Sequence, residues 1–257
     1  MYESEYRLAM EAALKAGEFL ENNYNPEVDS QIGKDIKLSS DKKSEAIIVD
    51  ILGAANIPIL SEECGMVGTD TNSKVWIVDP LDGTANYWKG MKELACVSVA
   101  LWENGSPVLG VINRFHQEEV FSGIVGEGAW MNENPIHTSS VKTVTEAVLA
   151  TGFPVKRDYT SDSLNGFVRQ VQNFKKVRML GAAAIMGAFV AAGRIDAYVE
   201  EQIMLWDIAA SAAIVKAAGG NIDIRMLEEY QCICKLFANE ALYENYKQIE
   251  SQEGTIC

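Results

Sequence analysis

Acidic residues that could bind a cation gather in three short segments of the chain. The segments are Ser61-Glu62-Glu63, Asp79-Pro80-Leu81-Asp82-Gly83-Thr84 and Trp206-Asp207. If the first two segments follow neighbouring strands, Glu62, Asp79 and Asp82 converge, and converged carboxylates either share protons or bind cations. Mg²⁺ is the favoured ion, because it prefers carboxylate and water oxygens and also bridges to phosphate.

The segment 79–84 is the most informative of the three. Its proline fixes the turn so that both aspartates can face inward, and the carbonyl of Leu81 stays free as a further ligand. Gly83 and Thr84 supply backbone N–H groups that suit phosphate oxygens at a helix start. A single acidic segment is more often a surface turn or a helix cap. Three together, one of them this six-residue string, favour a functional site.

Two helices are predicted in the first fifth of the chain. Hydrophobic residues at steps of three and four predict an amphipathic helix over residues 6–20 and another over 41–52. Ser39 or Ser40 is the expected N-cap of the second helix. The polar stretch 22–40 between the helices has no predicted element.

Short β-rich runs follow these helices. Strands are predicted at residues 57–60, 75–78, 119–124 and 129–131. Two more flank Asn104-Gly105 within residues 96–115, and this dipeptide is a strong hairpin signal. The first two strands end in the acidic segments and therefore deliver them to one place. Helices packed on an antiparallel sheet are the expected arrangement of this half.

After about residue 145 the pattern changes to an alternation of strands and helices. Strands are predicted at 147–151, 196–199 and 232–238, and helices at 162–174, 182–192, 207–218 and 240–250. Gly219-Gly220 is the expected end of the third of these helices. We therefore predict an N-terminal α+β unit, residues 1–145, and a C-terminal α/β unit, residues 146–257.

Composition narrows the possible partners and the location. The chain has 22 Lys and Arg against 36 Asp and Glu, a net charge of −14, which disfavours nucleic acid polymers and anionic membranes. No signal peptide or membrane span is predicted, so the cytoplasm is expected. The cysteines are scattered and form neither a disulfide framework nor a zinc site. They are Cys64, Cys96, Cys232, Cys234 and Cys257.

The chain resembles the inositol monophosphatase family, Mg²⁺-dependent and lithium-sensitive phosphatases that include bisphosphate nucleotidases and fructose-1,6-bisphosphatases. The match rests on residues 76–87, WIVDPLDGTANY, and on residues 205–210, LWDIAA, which lead to the glycine pair. Residues 181–183 and 191–198 also follow the family pattern. The resemblance covers nearly the whole chain and implies a layered αβαβα sandwich of the sugar phosphatase type, in which two α/β units share the active site. It also implies a phosphoric monoester hydrolase, Li⁺ inhibition and a homodimer.

The resemblance implies roles for individual residues. The ligands of two to three Mg²⁺ ions would be Glu62, Asp79, the carbonyl of Leu81, Asp82 and Asp207. The catalytic residues acting on a metal-activated water would be Glu62, Thr84 and Asp41. Substrate contacts would come from Asp82, Gly83, Thr84, Ala183 and Glu200. Glu63 is interpreted as supporting charge.

Glu200 indicates which phosphate ester is bound. A carboxylate accepts hydrogen bonds from polyol hydroxyls but repels a second phosphate, so inositol monophosphate or a related polyol phosphate is the expected substrate. The alternatives are a 3′(2′),5′-bisphosphate nucleotidase that converts adenosine 3′,5′-bisphosphate to AMP, and a metal-binding scaffold protein without catalysis. Three departures from the family leave substrate preference open. They are Leu38 for the usual Thr, Lys92 for Pro, and a short segment after residue 220.

Overall fold

Two β-sheets, separated by a pair of helices, organise the chain. The structure, a computed structural model, describes residues 2–32, 35–68, 73–153 and 159–253. The helices are α1 (Glu3–Asn22), α2 (Ser39–Leu52), α3 (Thr84–Trp88), α4 (Ser161–Gln172), α5 (Ala183–Ala191), α6 (Leu205–Ala217) and α7 (Glu240–Glu253). Short 3₁₀ turns lie at Gly53–Ala55, Lys92–Leu94 and Phe115–Gln117.

The larger sheet has eight strands in the order β10-β9-β8-β7-β6-β5-β3-β4. These strands are β3 (Ile59–Ser61), β4 (Gly65–Val67), β5 (Lys74–Asp82), β6 (Cys96–Glu103), β7 (Ser106–Arg114), β8 (Glu119–Ile124), β9 (Gly128–Met131) and β10 (Asn134–Pro135). All neighbours are antiparallel except β3 and β5, which run parallel. A separate antiparallel hairpin, β1 (Val28–Ile32) and β2 (Asp35–Leu38), precedes α2.

The smaller sheet has five strands in the order β12-β11-β13-β15-β14. They are β11 (Val148–Ala150), β12 (Lys176–Arg178), β13 (Ala197–Met204), β14 (Asn221–Met226) and β15 (Gln231–Phe237). Strand β11 is parallel to both of its neighbours, and the other pairs are antiparallel.

Three apolar cores join the layers. Helices α1 and α2 pack on one face of the larger sheet, for example through Ala13 and Ile48. Helices α5 and α6 lie between the two sheets, and α4 and α7 cover the outer face of the smaller one. Helix α6 is made mostly of buried small and aliphatic residues, which is typical of a helix enclosed on all sides. The predicted layered αβαβα sandwich is confirmed.

Most predicted elements are present. Asn104 and Gly105 both have positive φ, 51° and 72°, at the tip of the predicted β6–β7 hairpin. Gly219, with φ 95°, follows the end of α6 as expected. The prediction missed β1, β2 and several short edge strands. The division into two domains near residue 145 stays a prediction.

The predicted cap of α2 is wrong. Ser39 and Ser40 lie inside the first turn, and the N-cap is the buried Leu38. At the third position of the helix, the carboxylate of Asp41 accepts the backbone N–H of Leu38 at 2.8 Å. This bond stabilises an N-cap one residue before the predicted serines.

Four of the five cysteines lie within the described residues. Cys64, Cys96, Cys232 and Cys234 are free thiols, and Cys257 lies outside the described residues. None of the helices in the described ranges has the length and apolar character that a membrane crossing needs.

Candidate active site

A cavity of about 510 Å³ lies at the ends of strands β3, β5 and β13 and at the first turns of α5 and α6. The acidic residues that line it are Glu62, Asp79, Asp82, Glu200 and Asp207. Gly83, Thr84 and Ala183, also predicted from the sequence, line the same cavity. Residues from both halves of the chain therefore meet in one place.

Three of the acids form a compact cluster. Carboxylate oxygens of Glu62, Asp79 and Asp207 all lie within 4.8 Å of one another. Strands β3 and β5 are parallel, with Ser61 opposite Val78, so Glu62, which follows β3, lies beside Asp79 of β5. Asp207 reaches them from the first turn of α6.

Burial and mutual repulsion destabilise the charged forms of this cluster. Burial raises the pKa of Glu62 to about 8, and the neighbouring Glu63 and Asp41 charges add to the increase. Burial and then the charges of Glu62, Asp82 and Asp207 raise the pKa of Asp79 well above its usual range. All the donors are carboxylate oxygens that repel one another, so the cluster fits a hard divalent cation.

Asp82 connects the larger sheet to α5. Its two carboxylate oxygens accept the backbone N–H groups of Ala183 at 3.2 Å and Ala184 at 2.8 Å, at the N-terminus of that helix. Burial raises the pKa of Asp82 to about 6, although these donors oppose the shift. The structure thus places Asp82 beside the three-carboxylate cluster but outside it. The backbone N–H of Ala183, a residue predicted to contact the substrate, donates to Asp82.

The segment after Asp79 forms a network of hydrogen bonds around a break in the sheet. The pairing of β5 with β6 shifts register between Asp79 and Asp82. Asp79 Oδ1 accepts the N–H of Leu81 at 3.0 Å, and the Leu81 carbonyl lies 2.9 Å from the Thr84 hydroxyl. Gly83, with φ 85°, makes the turn into α3. The backbone therefore holds both aspartates and the Leu81 carbonyl in defined positions.

Asp41 and Thr84 are brought together by α2. Thr84 Oγ1 lies 3.2 Å from Asp41 Oδ1, while Asp41 Oδ2 accepts the N–H of Leu38. Burial raises the pKa of Asp41 to about 7. Because the support from residue 38 comes from its backbone, Leu38 can hold Asp41 without a side-chain hydroxyl.

Glu63 has a different environment from Glu62. Its Oε1 forms a salt bridge with Lys37 Nζ at 2.9 Å, and its side chain is almost fully buried. Lys37 is the one basic residue among the described residues that line the cavity. Sequence reasoning missed it, although the alternation of polar and apolar types over Asp35–Leu38 is a signal of strand β2.

Glu200 is buried at the last paired position of β13 before a break in register. After the break, Asp207 Oδ2 accepts the N–H of Met204 at 3.3 Å at the start of α6. Gly152, Phe153 and Trp206 also line the cavity and were not predicted. Gly152 and Phe153 follow strand β11, and loops after strands often carry the residues of a binding site.

Comparisons with known proteins agree with this geometry. A family model described as the inositol monophosphatase family matches residues 1–249. Nus factor SuhB from Pasteurella multocida is 32% identical over 223 residues, 83% of this chain and 82% of that protein. The structure of an inositol monophosphatase from Anabaena has a TM-score of 0.85 and 32% identity, covering 97% of this chain and 96% of its own. The IMPase of Thermotoga maritima has a TM-score of 0.79 and 28% identity, with 98% of each chain covered.

Proposed function

The chain belongs to the inositol monophosphatase family and is a phosphomonoesterase, and from this premise we propose that it hydrolyses a small polyol phosphate. Inositol monophosphate is the leading substrate, and the reaction depends on Mg²⁺. The observation that supports this most is the convergence of Glu62, Asp79 and Asp207 in the cavity that Thr84 also lines.

The carboxylate and carbonyl oxygens at the cavity support a proposal for the metal ligands. Two to three Mg²⁺ ions would be held by Glu62, Asp79, the carbonyl of Leu81, Asp82 and Asp207. Mg²⁺ bound there supplies Lewis-acid stabilisation of the phosphate and makes a nucleophile available from water at neutral pH. Both carboxylate oxygens of Asp82 accept backbone N–H groups at the start of α5. As a metal ligand, Asp82 would therefore bind the ion and these N–H groups through the same oxygens.

Thr84 and Asp41 are the residues proposed to orient the attacking water and accept its proton. The Thr84 hydroxyl can donate to the Leu81 carbonyl or to Asp41, and its lone pairs then accept a hydrogen bond from water. Asp41, whose pKa is raised to about 7 by burial, can take up a proton near neutral pH. Water adds to phosphorus, the bond to the alcohol oxygen breaks, and that oxygen receives a proton. The products are the free alcohol and inorganic phosphate.

Glu200 selects the alcohol part of the substrate. Its buried carboxylate lines the cavity and can accept hydrogen bonds from ring hydroxyls. The same negative charge repels a second phosphate group, and this favours a polyol monophosphate over adenosine 3′,5′-bisphosphate.

The negative charge of the cavity and of the whole chain affects substrate binding. Five acids line the cavity and the whole chain has a net charge of −14, so without a cation the cavity repels an anionic ester. Chelation should therefore abolish substrate binding as well as turnover. Inhibition by Li⁺ and assembly as a homodimer are further parts of the proposal, and light scattering tests the latter.

The test is a parallel assay of phosphate release from inositol 1-phosphate and adenosine 3′,5′-bisphosphate at fixed Mg²⁺. We expect turnover of the inositol ester, loss of its binding after chelation, and inhibition by millimolar Li⁺. Rapid turnover of the nucleotide with none of the inositol ester would contradict the polyol assignment. Unchanged hydrolysis by Asp207→Asn would contradict the metal assignment.

A further inference from the structure

Tyr198 and Gly152 hold the carboxylate of Glu200 from two directions. We propose that Tyr198 is a positioning residue that fixes Glu200 as the acceptor for a substrate hydroxyl, and that Gly152 leaves the space which this position needs. The inference rests on the proposed function, since it concerns how that site selects a polyol.

The first contact is a hydrogen bond along β13. The Tyr198 hydroxyl donates to Glu200 Oε2 at 2.9 Å. Residues two apart in a strand face the same side, so both side chains point from β13 toward the layer of α5 and α6. Tyr198 is fully buried there, and burial followed by the Glu200 charge raises the pKa of its phenol well above the usual value. The phenol therefore remains a donor at every physiological pH.

The second contact comes from the neighbouring strand. Strand β11 runs parallel to β13 with Ala150 opposite Tyr198, which places Gly152 next to Glu200 just beyond the end of the ladder. A Cβ atom on Gly152 would lie 2.6 Å from Glu200 Oε2 and 2.7 Å from Oε1. Any side chain at position 152 would therefore push the carboxylate out of its place.

These two contacts restrict the carboxylate of Glu200. One oxygen accepts the hydrogen bond of the phenol, and both oxygens occupy space that a Cβ atom on residue 152 would take. The carboxylate is thus ordered before a substrate arrives, which avoids an ordering cost on binding. A hydrogen bond to a charged group is also stronger than one between neutral groups, so its removal should be measurable in specificity.

The experiment compares two substrates in the full-length, Mg²⁺-loaded enzyme. Inositol 1-phosphate offers ring hydroxyls to Glu200, whereas p-nitrophenyl phosphate has none. For Tyr198→Phe we expect kcat/KM for inositol 1-phosphate to fall about 10-fold. The value for p-nitrophenyl phosphate should stay within about 2-fold of wild type. In a Glu200→Gln background, Tyr198→Phe should have no further effect on discrimination.

Tyr246→Phe is the matched control. Tyr246 is another buried tyrosine of the C-terminal half, and its hydroxyl accepts a hydrogen bond from Gln170 at 2.7 Å, in the core between the smaller sheet and α4 and α7. Its loss should affect stability without changing the ratio between the two substrates. An equal loss on both substrates, or no loss on either, from Tyr198→Phe would overturn the positioning role. A wild-type enzyme that turns over adenosine 3′,5′-bisphosphate but not the inositol ester would instead refute the proposed function, and the inference with it.

Discussion

Strands β5 and β13 both lose register at the cavity, but they do so by different means. The β5 break lies between Asp79 and Asp82 and contains Pro80, which has no N–H to donate to a neighbouring strand. The β13 break lies between Glu200 and Ile203 and contains Gln202 in the left-handed region, with φ 60°. The first break can be recognised in the sequence, whereas the second cannot.

The acids beside the two breaks also differ in the groups that surround their carboxylates. Asp79 lies against other carboxylates, and burial and their charges raise its pKa well above its usual range. Glu200 instead receives a hydrogen bond from a neutral phenol, Tyr198. A group of repelling carboxylates needs a cation, but a single carboxylate with a fixed donor is a hydrogen-bond acceptor. We therefore propose that the two strands have separate roles, with metal binding on β5 and selection of the alcohol on β13.

Substitution of Asp79 should have the largest effect. Asp79→Asn removes a proposed metal ligand, and we expect kcat/KM to fall more than about 100-fold, since even groups that only support a ligand are worth 10- to 100-fold. In the presence of chelator the variant should melt at the same temperature as wild type or higher, because a buried carboxyl group whose ionised form is destabilised by its neighbours is replaced by a neutral amide. Phosphate release measures kcat/KM, and thermal melting measures the stability. Calorimetry measures the affinity for Mg²⁺.

Asp50→Asn is the control for this variant. Asp50 is exposed on α2, away from the cavity, so its substitution should leave metal affinity and activity unchanged. Full activity of Asp79→Asn, or equal losses in the two variants, would show that the β5 cluster is not the metal site.

The second prediction concerns pH in the metal-free protein. Burial raises the pKa of Asp82 to about 6 and that of Asp41 to about 7, so the folded state binds protons that the unfolded state releases near pH 4. Stability therefore falls as pH rises from 5.5 to 8. We expect the melting temperature in chelator to drop by about 3 to 5 °C over this range, equivalent to roughly 1 to 2 kcal/mol.

Mg²⁺ and one substitution test the cause of this drop. The ion favours the ionised carboxylates, so it should raise the melting temperature more at pH 8 than at pH 5.5. The Asp41→Asn variant has no ionisable group at this position, so its metal-free melting temperature should change less with pH. A metal-free melting temperature that is flat or rises between pH 5.5 and 8 would show that these carboxylates are not held neutral by burial.

A smaller effect is expected on the β13 side from Gly152→Ala. The new Cβ would lie 2.6 to 2.7 Å from the oxygens of Glu200, so the carboxylate must move. We expect kcat/KM for inositol 1-phosphate to fall about 10-fold, or about 1.4 kcal/mol, with Mg²⁺ affinity unchanged. Gly53→Ala is the control, because Gly53 has open space around it and an ordinary φ of −56°. Equal losses on inositol 1-phosphate and p-nitrophenyl phosphate would contradict a role in selecting the alcohol.

The β5 side of the site was largely predictable because its information is local. Six consecutive residues encode the turn, the two aspartates and the glycine, and the parallel pairing of β3 with β5 then places Glu62 beside Asp79. Apolar spacing similarly predicted most helices, and the resemblance to the family predicted the layered fold. The roles of these residues remain predictions, although the structure brings the residues together.

What was not predictable depends on contacts between distant segments. The approach of Gly152 to Glu200 arises from the register of β11 and β13, and no local pattern specifies it. The cap of α2 was missed because the N-cap residue, Leu38, is apolar, and only its backbone N–H is bound, by the carboxylate of Asp41. The salt bridge of Lys37 with Glu63 joins a hairpin to a loop 26 residues away.

The smallest expected effect tests the backbone of the β13 break. A left-handed conformation disfavours residues with a Cβ atom, and the left-handed residue that directly follows β5 is a glycine, Gly83 with φ 85°. Gln202→Gly should relieve this strain but lose entropy on folding, so we expect a net gain of about 0.5 kcal/mol, or 1 to 2 °C in melting temperature. Gln202→Val should have the opposite sign, because a β-branched residue disfavours positive φ most strongly. Mg²⁺ affinity should be the same in both variants if the metal ligands depend on the β5 break. A loss of Mg²⁺ affinity in Gln202→Gly would mean that the β13 break also positions Asp207, and the division between the two strands would then be wrong.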